Sequence, residues 1–196
     1  MLSPQGLSWQ KDTMQLAVPR YTQRAFPRYR HIPNQTPHPI IDPKGHSFEK
    51  HSEKAEYIPH EKWQHNALYL YGVDLFNHGF WWEAHEAWEA VWLTTKKTDM
   101  EGQYLQALIQ FSAALIKLYS GNEKGFTNLW GEAAKKFSFC LGELDKNKHH
   151  AWMGLNLAKW LKKVEVFCHS INPNLIPDHP NDALLYASYP ALILES

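Results

Sequence analysis

Apolar residues recur at helical spacing throughout residues 60–172, a stretch that contains no proline. A proline inside a helix costs roughly 3 kcal/mol, so this stretch is free to form long helices. The pattern predicts a first helix over about Glu61 to Asn77, with Trp63, Ala67, Leu70 and Val73 on one side. Asn77-His78-Gly79 ends it, Gly79 serving as a left-handed cap. A second helix runs from Phe80 to Leu93. A third is capped by Thr98 or Asp99, continues to Tyr119 and stops at Gly121. The fourth, Asn122 to Leu144, carries Phe126, Leu129, Ala133, Phe137, Cys140 and Leu144 as a one-sided apolar stripe, and the fifth covers about Ala151 to His169. Short connections between such helices predict an all-α fold, a single antiparallel multi-helix bundle.

Proline marks where the regular pattern stops. Eight of the 12 prolines lie in residues 1–59 and the other four in 173–196. Pro27, Pro33, Pro37, Pro39 and Pro43 are too close together for any element longer than a turn. The expected organisation is an irregular Pro-rich arm over 1–47, packed on a helical bundle over 48–172, followed by an irregular tail over 173–196.

The second helix carries the unusual chemistry. At about 100° per residue, Trp81, Trp88 and Trp92 fall within about 60° of His85 on one side. On the other side Glu89 falls at about 40°, Trp82 at about 60° and Glu86 at about 100°, while Glu83, at about 160°, points away. The tryptophan face thus centres on His85 and Glu89, which are expected to be largely buried. A buried carboxylate needs partners or loses its charge. The pair could fix the packing by hydrogen bonding, form part of a divalent metal site, or act in acid–base chemistry. His85-Glu86-Ala87-Trp88-Glu89 departs from the zinc-protease pattern, because Glu89 stands where a second histidine is required.

A metal would need a further ligand beside His85 and Glu89. Glu86 comes first in order, then His38 and His46 if the arm crosses the bundle. The third helix is apolar on nearly every side, yet Gln103, Gln106, Gln110 and Lys117 form one polar stripe. Gln106, Gln110 and Lys117 are therefore candidates, with Trp81, Trp88 and Trp92, for the wall of a small polar pocket.

Charge adds one feature. The chain has 20 Lys+Arg against 20 Asp+Glu, which argues against a dedicated nucleic-acid binder. All four arginines (Arg20, Arg24, Arg28 and Arg30) lie in the arm, and the expectation is that Arg24, Arg28 or Arg30 clamps it to carboxylates of the bundle. Cys140 and Cys168 are too few for a disulfide framework. Neither a leader pattern in residues 1–30 nor a membrane-length apolar run is visible, so a cytoplasmic protein is expected; a homo-oligomer is left open.

The run from Tyr71 through Phe80-Trp81-Trp82-Glu83-Ala84-His85 to Glu89 resembles the signature of the bacterial and archaeal domain-of-unknown-function family 309. Its hallmark of His, three residues, Glu, two residues and an aromatic is matched by His85, Glu89 and Trp92. Leu105 to Ala114, Gly121 to Gly125 and the arm segments around Tyr29 to Pro39 and Gly45-His46-Ser47 are similar as well. The resemblance implies an all-helical fold and a metal-binding role for the His/Glu motif, and it supplies no reaction. The function read at this level is a His/Glu polar site between the second and third helices that takes a divalent metal, with hydrolase-like chemistry as its furthest extension. The alternative is a non-enzymatic scaffold in which the pair only fixes the fold.

Overall fold

The computed structural model describes residues 18–50, 53–170 and 190–195. It contains five α-helices, α1 (Ala67–Asn77), α2 (Trp81–Trp92), α3 (Met100–Tyr119), α4 (Glu123–Lys146) and α5 (Leu157–Ser170), preceded by a short 3-10 helix, His60–His65. Consecutive helices pack against one another, and α3 packs against both α2 and α4. The expected all-α bundle is the observed architecture. The arm segment 1–17 and the tail segment 173–189 lie outside the described residues.

Two helix starts differ from expectation. The first predicted helix is interrupted at Asn66, whose side chain accepts from the Tyr69 amide (3.0 Å) and caps α1. The fifth begins at Leu157 rather than near Ala151. Met153 and Gly154 have positive φ (45° and 81°), and Trp152 and Leu155 pair across the resulting turn. Gly154 is needed there, because an added Cβ would lie 2.6 Å from the Trp63 ring.

The core explains why α1, α2 and α3 hold a fixed geometry. Tyr104, Leu105, Leu108, Phe111 and Leu115 of α3 have no exposed surface. Phe76 of α1 packs between Trp88 of α2 and Phe111 of α3, with ring centroids 5.8 and 5.9 Å away. Trp88 in turn lies over Gly72, where an added Cβ would be 2.3 Å from its indole nitrogen, which donates to the Tyr69 carbonyl (3.1 Å). The glycine thereby sets the approach of α1 to α2.

Irregular segments are tied on by polar groups of α1. Buried Asp74 accepts from the Tyr21 and Thr22 amides (2.7 and 2.9 Å) and the Thr22 hydroxyl (2.6 Å), and pairs with Arg20 (3.2 Å). Buried Asn77 makes two hydrogen bonds with the Leu192 backbone (2.7 and 2.8 Å), which seats residues 190–195. The expected arginine clamp is formed by Arg24, and Arg20 joins it while Arg28 bonds within the arm. Arg20 reaches a helix carboxylate, Arg24 pairs with Glu53 just beyond the arm (2.6 Å), and Arg28 bonds the Lys44 carbonyl (3.3 Å). Backbone amides at Asp74 do much of the holding because proline-rich chain leaves its N–H groups unpaired by regular structure.

Candidate metal centre

The buried residues of α2 are Trp81, Glu83, Ala84, Ala87, Trp88 and Val91. The apolar face among them is centred on Ala84, about 100° from His85, so the expectation that His85 and Glu89 are largely buried is corrected. Their side chains are 28% and 44% exposed. The physical reason is that α1 and α3 approach where α2 carries alanine, since small side chains permit close helix contact, whereas Trp82 and Trp92 lie on the flanks, half-buried. Trp81 and Trp88 do face other helices, against Tyr119 (4.5 Å) and Phe76 (5.8 Å).

On the rim of this face three ligand groups converge. His85, Glu86 and Glu89 each present a ligand atom, and these atoms lie within 4.8 Å of one another. His85 Nε2 is 3.9 Å from a Glu89 oxygen. Burial pulls the pKa of the His85 ring below the ordinary 6.5, and the nearby Glu89 carboxylate opposes that shift. A neutral imidazole keeps one ring nitrogen as an acceptor, available to a metal. Glu86 is half-buried beside Glu89 and Glu83, and burial and those two charges push its pKa from 4.5 up to about 7. Among the described residues no cation comes within ion-pair distance of Glu86. One imidazole nitrogen and two carboxylates, one of them short of a counter-charge, fit a first-row divalent ion.

The other candidates are placed elsewhere. His46 is buried and bonds Glu83 through Nε2 (2.9 Å) and Ser47 through Nδ1 (2.9 Å). His38 accepts from the Ile40 amide (3.3 Å) and packs against His31 and Trp82. The arm therefore brings its histidines to Glu83, one turn from the cluster. On α3, Gln106 is half-buried, Gln110 has a buried Oε1 without a partner, and Lys117 is exposed. Trp92 also has a buried, unpartnered indole nitrogen, and its ring is covered by Lys97 (3.7 Å).

Glu83 is the residue that helical-wheel reasoning assigns to solvent. It is buried, its Oε1 accepting from the His31 amide and His46 Nε2 (both 2.9 Å) while Oε2 has no partner. A carboxylate three residues before Glu86, in a chain whose arm is rich in histidine, was the available signal.

The family model described as Domain of unknown function (DUF309) matches residues 69–129, which span most of α1, all of α2 and α3, and the start of α4. The likeness first visible in the His85-x3-Glu89-x2-Trp92 motif is thus shown for the stretch that builds the cluster. No curated protein and no solved structure matches the chain. Among the described residues no helix is long and apolar enough to cross a membrane.

Proposed function

We propose that His85, Glu86 and Glu89 hold a single divalent transition-metal ion on the rim of α2. The observation that carries this reading is the convergence of their ligand atoms within 4.8 Å. Glu86 supplies a carboxylate whose repulsion from Glu83 and Glu89 a cation would relieve. With only three protein ligands, a bound ion would supply a polarised water, the starting point of hydrolytic chemistry. Two free cysteines, Cys140 buried and Cys168 half-buried, support a cytoplasmic setting.

The test is metal titration of chelator-treated protein with manganese, iron(II) and zinc, read by calorimetry and thermal melting. The wild type takes up one ion and melts higher, and His85→Ala abolishes both effects. A scaffold reading draws on the approach of His85 Nε2 to Glu89 at 3.9 Å, a pair that then only fixes the fold. It predicts a melting temperature indifferent to metal and chelator, with His85→Ala costing about 1–3 kcal/mol for the partner left unsatisfied.

A further inference from the structure

Three imidazoles of the arm crowd one tryptophan of α2. The ring centroids of His31, His38 and His46 lie 5.5, 5.7 and 6.4 Å from that of Trp82, and His31 and His38 are 5.1 Å apart. His31 and His46 are buried and His38 is half-buried. Glu83 can balance one imidazolium, that of His46, across the 2.9 Å contact to Nε2. Among the described residues neither His31 nor His38 has a carboxylate within ion-pair distance. Asp42, on the same turn as His38, gives its carboxylate to the Lys44 amide (2.8 Å). The remaining charged groups of this face are Glu86 on α2, the Arg24–Glu53 pair, and exposed Arg28, Lys44, Glu49 and Lys50. Arg30, next to His31, lies over the Phe80 ring (5.7 Å), and the Tyr29 phenol packs on His46 (4.8 Å). From α1, the Tyr71 hydroxyl donates to the Ala25 carbonyl (2.8 Å).

Hydrogen bonding selects the neutral ring at His38. Its Nδ1 accepts from the Ile40 amide at 3.3 Å, with the Ile41 amide at 3.5 Å, and a backbone amide can only donate. An imidazolium has two N–H groups and no lone pair, so a protonated His38 would point a donor at those amides. At His31, burial first, then His38 and His46, hold the pKa below the ordinary 6.5. The same stretch of arm, through Arg28, Ile40, His46 and Ser47, forms one wall of a cavity of about 490 Å³ whose other side includes Tyr71, Trp82 and Ala87. We infer that residues 28–50 are an acid-released strap: protonation of His31 and His38 lifts them from Trp82 and α2 and opens the arm-side wall of this cavity. Glu83 answers one positive charge in the closed cluster, and each further one is repelled there but solvated outside. His31 takes its proton more readily in the free arm than in the seated one, so seating weakens as pH falls below 6.5.

The experiment is hydrogen exchange of the full chain in chelator at about pH 7.5 and about pH 5.5, each rate divided by its intrinsic chemical rate. Protection of residues 31–47 is expected to fall about ten-fold at the lower pH, the change that one suppressed proton gives one pH unit below 6.5, while α1 and α3 keep theirs. His31→Gln and His38→Gln each remove one titrating ring, and in each the fall shrinks to about three-fold or less. Circular dichroism at neutral pH confirms that the variants are folded, and if one is not, the other carries the comparison. Suppression in only one of two folded variants assigns the release to that ring. Protection independent of pH, a fall in both variants equal to that of wild type, or a loss spread evenly over α1 and α3 overturns the inference.

Discussion

Replacing Glu86 by glutamine removes a charge that the apo-protein holds at a cost. Burial, Glu89 and Glu83 push this carboxyl from 4.5 up to about 7. Between those values the folded chain keeps a proton that the unfolded chain has released, so the contribution of Glu86 to stability falls as pH rises through that window and is lowest above about 7. At about 1.36 kcal/mol per pH unit the full rise corresponds to about 3 kcal/mol. Glu86 is only half-buried, and solvent screening reduces the expected share to about 1–2 kcal/mol. Glu86→Gln keeps the shape and cannot ionise. In chelator at alkaline pH, urea denaturation should therefore find E86Q more stable than wild type by about 1–2 kcal/mol. The difference should shrink towards zero as pH falls to 4.5. His31, His78 and His85, whose pKa values burial lowers, give the opposite slope, stability rising with pH up to 6.5. They are present in both proteins and cancel in the difference. On the proposed metal-binding reading, a divalent ion at a hundred times its Kd should reverse the order, stabilising the wild type by about 2.7 kcal/mol. An E86Q protein no more stable than wild type in alkaline chelator would refute the claim that Glu86 is held against like charge.

Three further outcomes test how the scaffold presents this site. Gly72→Ala should cost about 1–3 kcal/mol by overpacking against the Trp88 indole, measured as a lower urea midpoint; a neutral result would show that the α1–α2 spacing is not set there. Glu83→Ala leaves the His31 amide and His46 without their acceptor and should cost about 3–5 kcal/mol. Hydrogen exchange should then localise the loss to residues 31–47, and unchanged protection there would contradict the anchoring role. Asp74→Asn should cost about 2–3 kcal/mol, since the carboxylate accepts two amides and a hydroxyl and pairs with Arg20; a melting curve matching wild type would count against it.

The helices were readable from the sequence because proline exclusion and one-sided apolar spacing act locally, and both survive into α1 to α5. Their starts were less readable. Asn66 and Gly154 each offer a local alternative to the helix, and whether it is taken depends on the packing beyond. Within the site, His85, Glu86 and Glu89 were legible as neighbours, since positions one turn apart share a side of any helix. Their depth was not. Weighting the wheel by tryptophan placed the core on His85, whereas the neighbouring helices close on Ala84 and Ala87, and close approach favours small residues over large apolar ones. Glu83 was misplaced for a different reason. Its cover is an irregular arm, and the path of chain without regular hydrogen bonding is set by tertiary contacts that no periodicity encodes.

Glu83, Glu86 and Glu89 recur every three residues, and that spacing makes one residue type serve three environments. Each step of three turns the side chain back by about 60° around α2, so the acids move steadily from the arm side to the α3 side of the helix. Glu83 lies under the arm, where two donors consume one of its oxygens and the arm excludes water. Glu89 lies at the opposite edge, 44% exposed, where water can stabilise its charge. Glu86 lies between them, half-buried and without the donors of the first. The charges that raise its pKa are Glu89 first and Glu83 second. The arm is therefore more than a cover. It holds buried, at Glu83, one of the two charges that raise the Glu86 pKa, so the anchoring of the arm and the electrostatics of the rim follow from the same three-residue repeat.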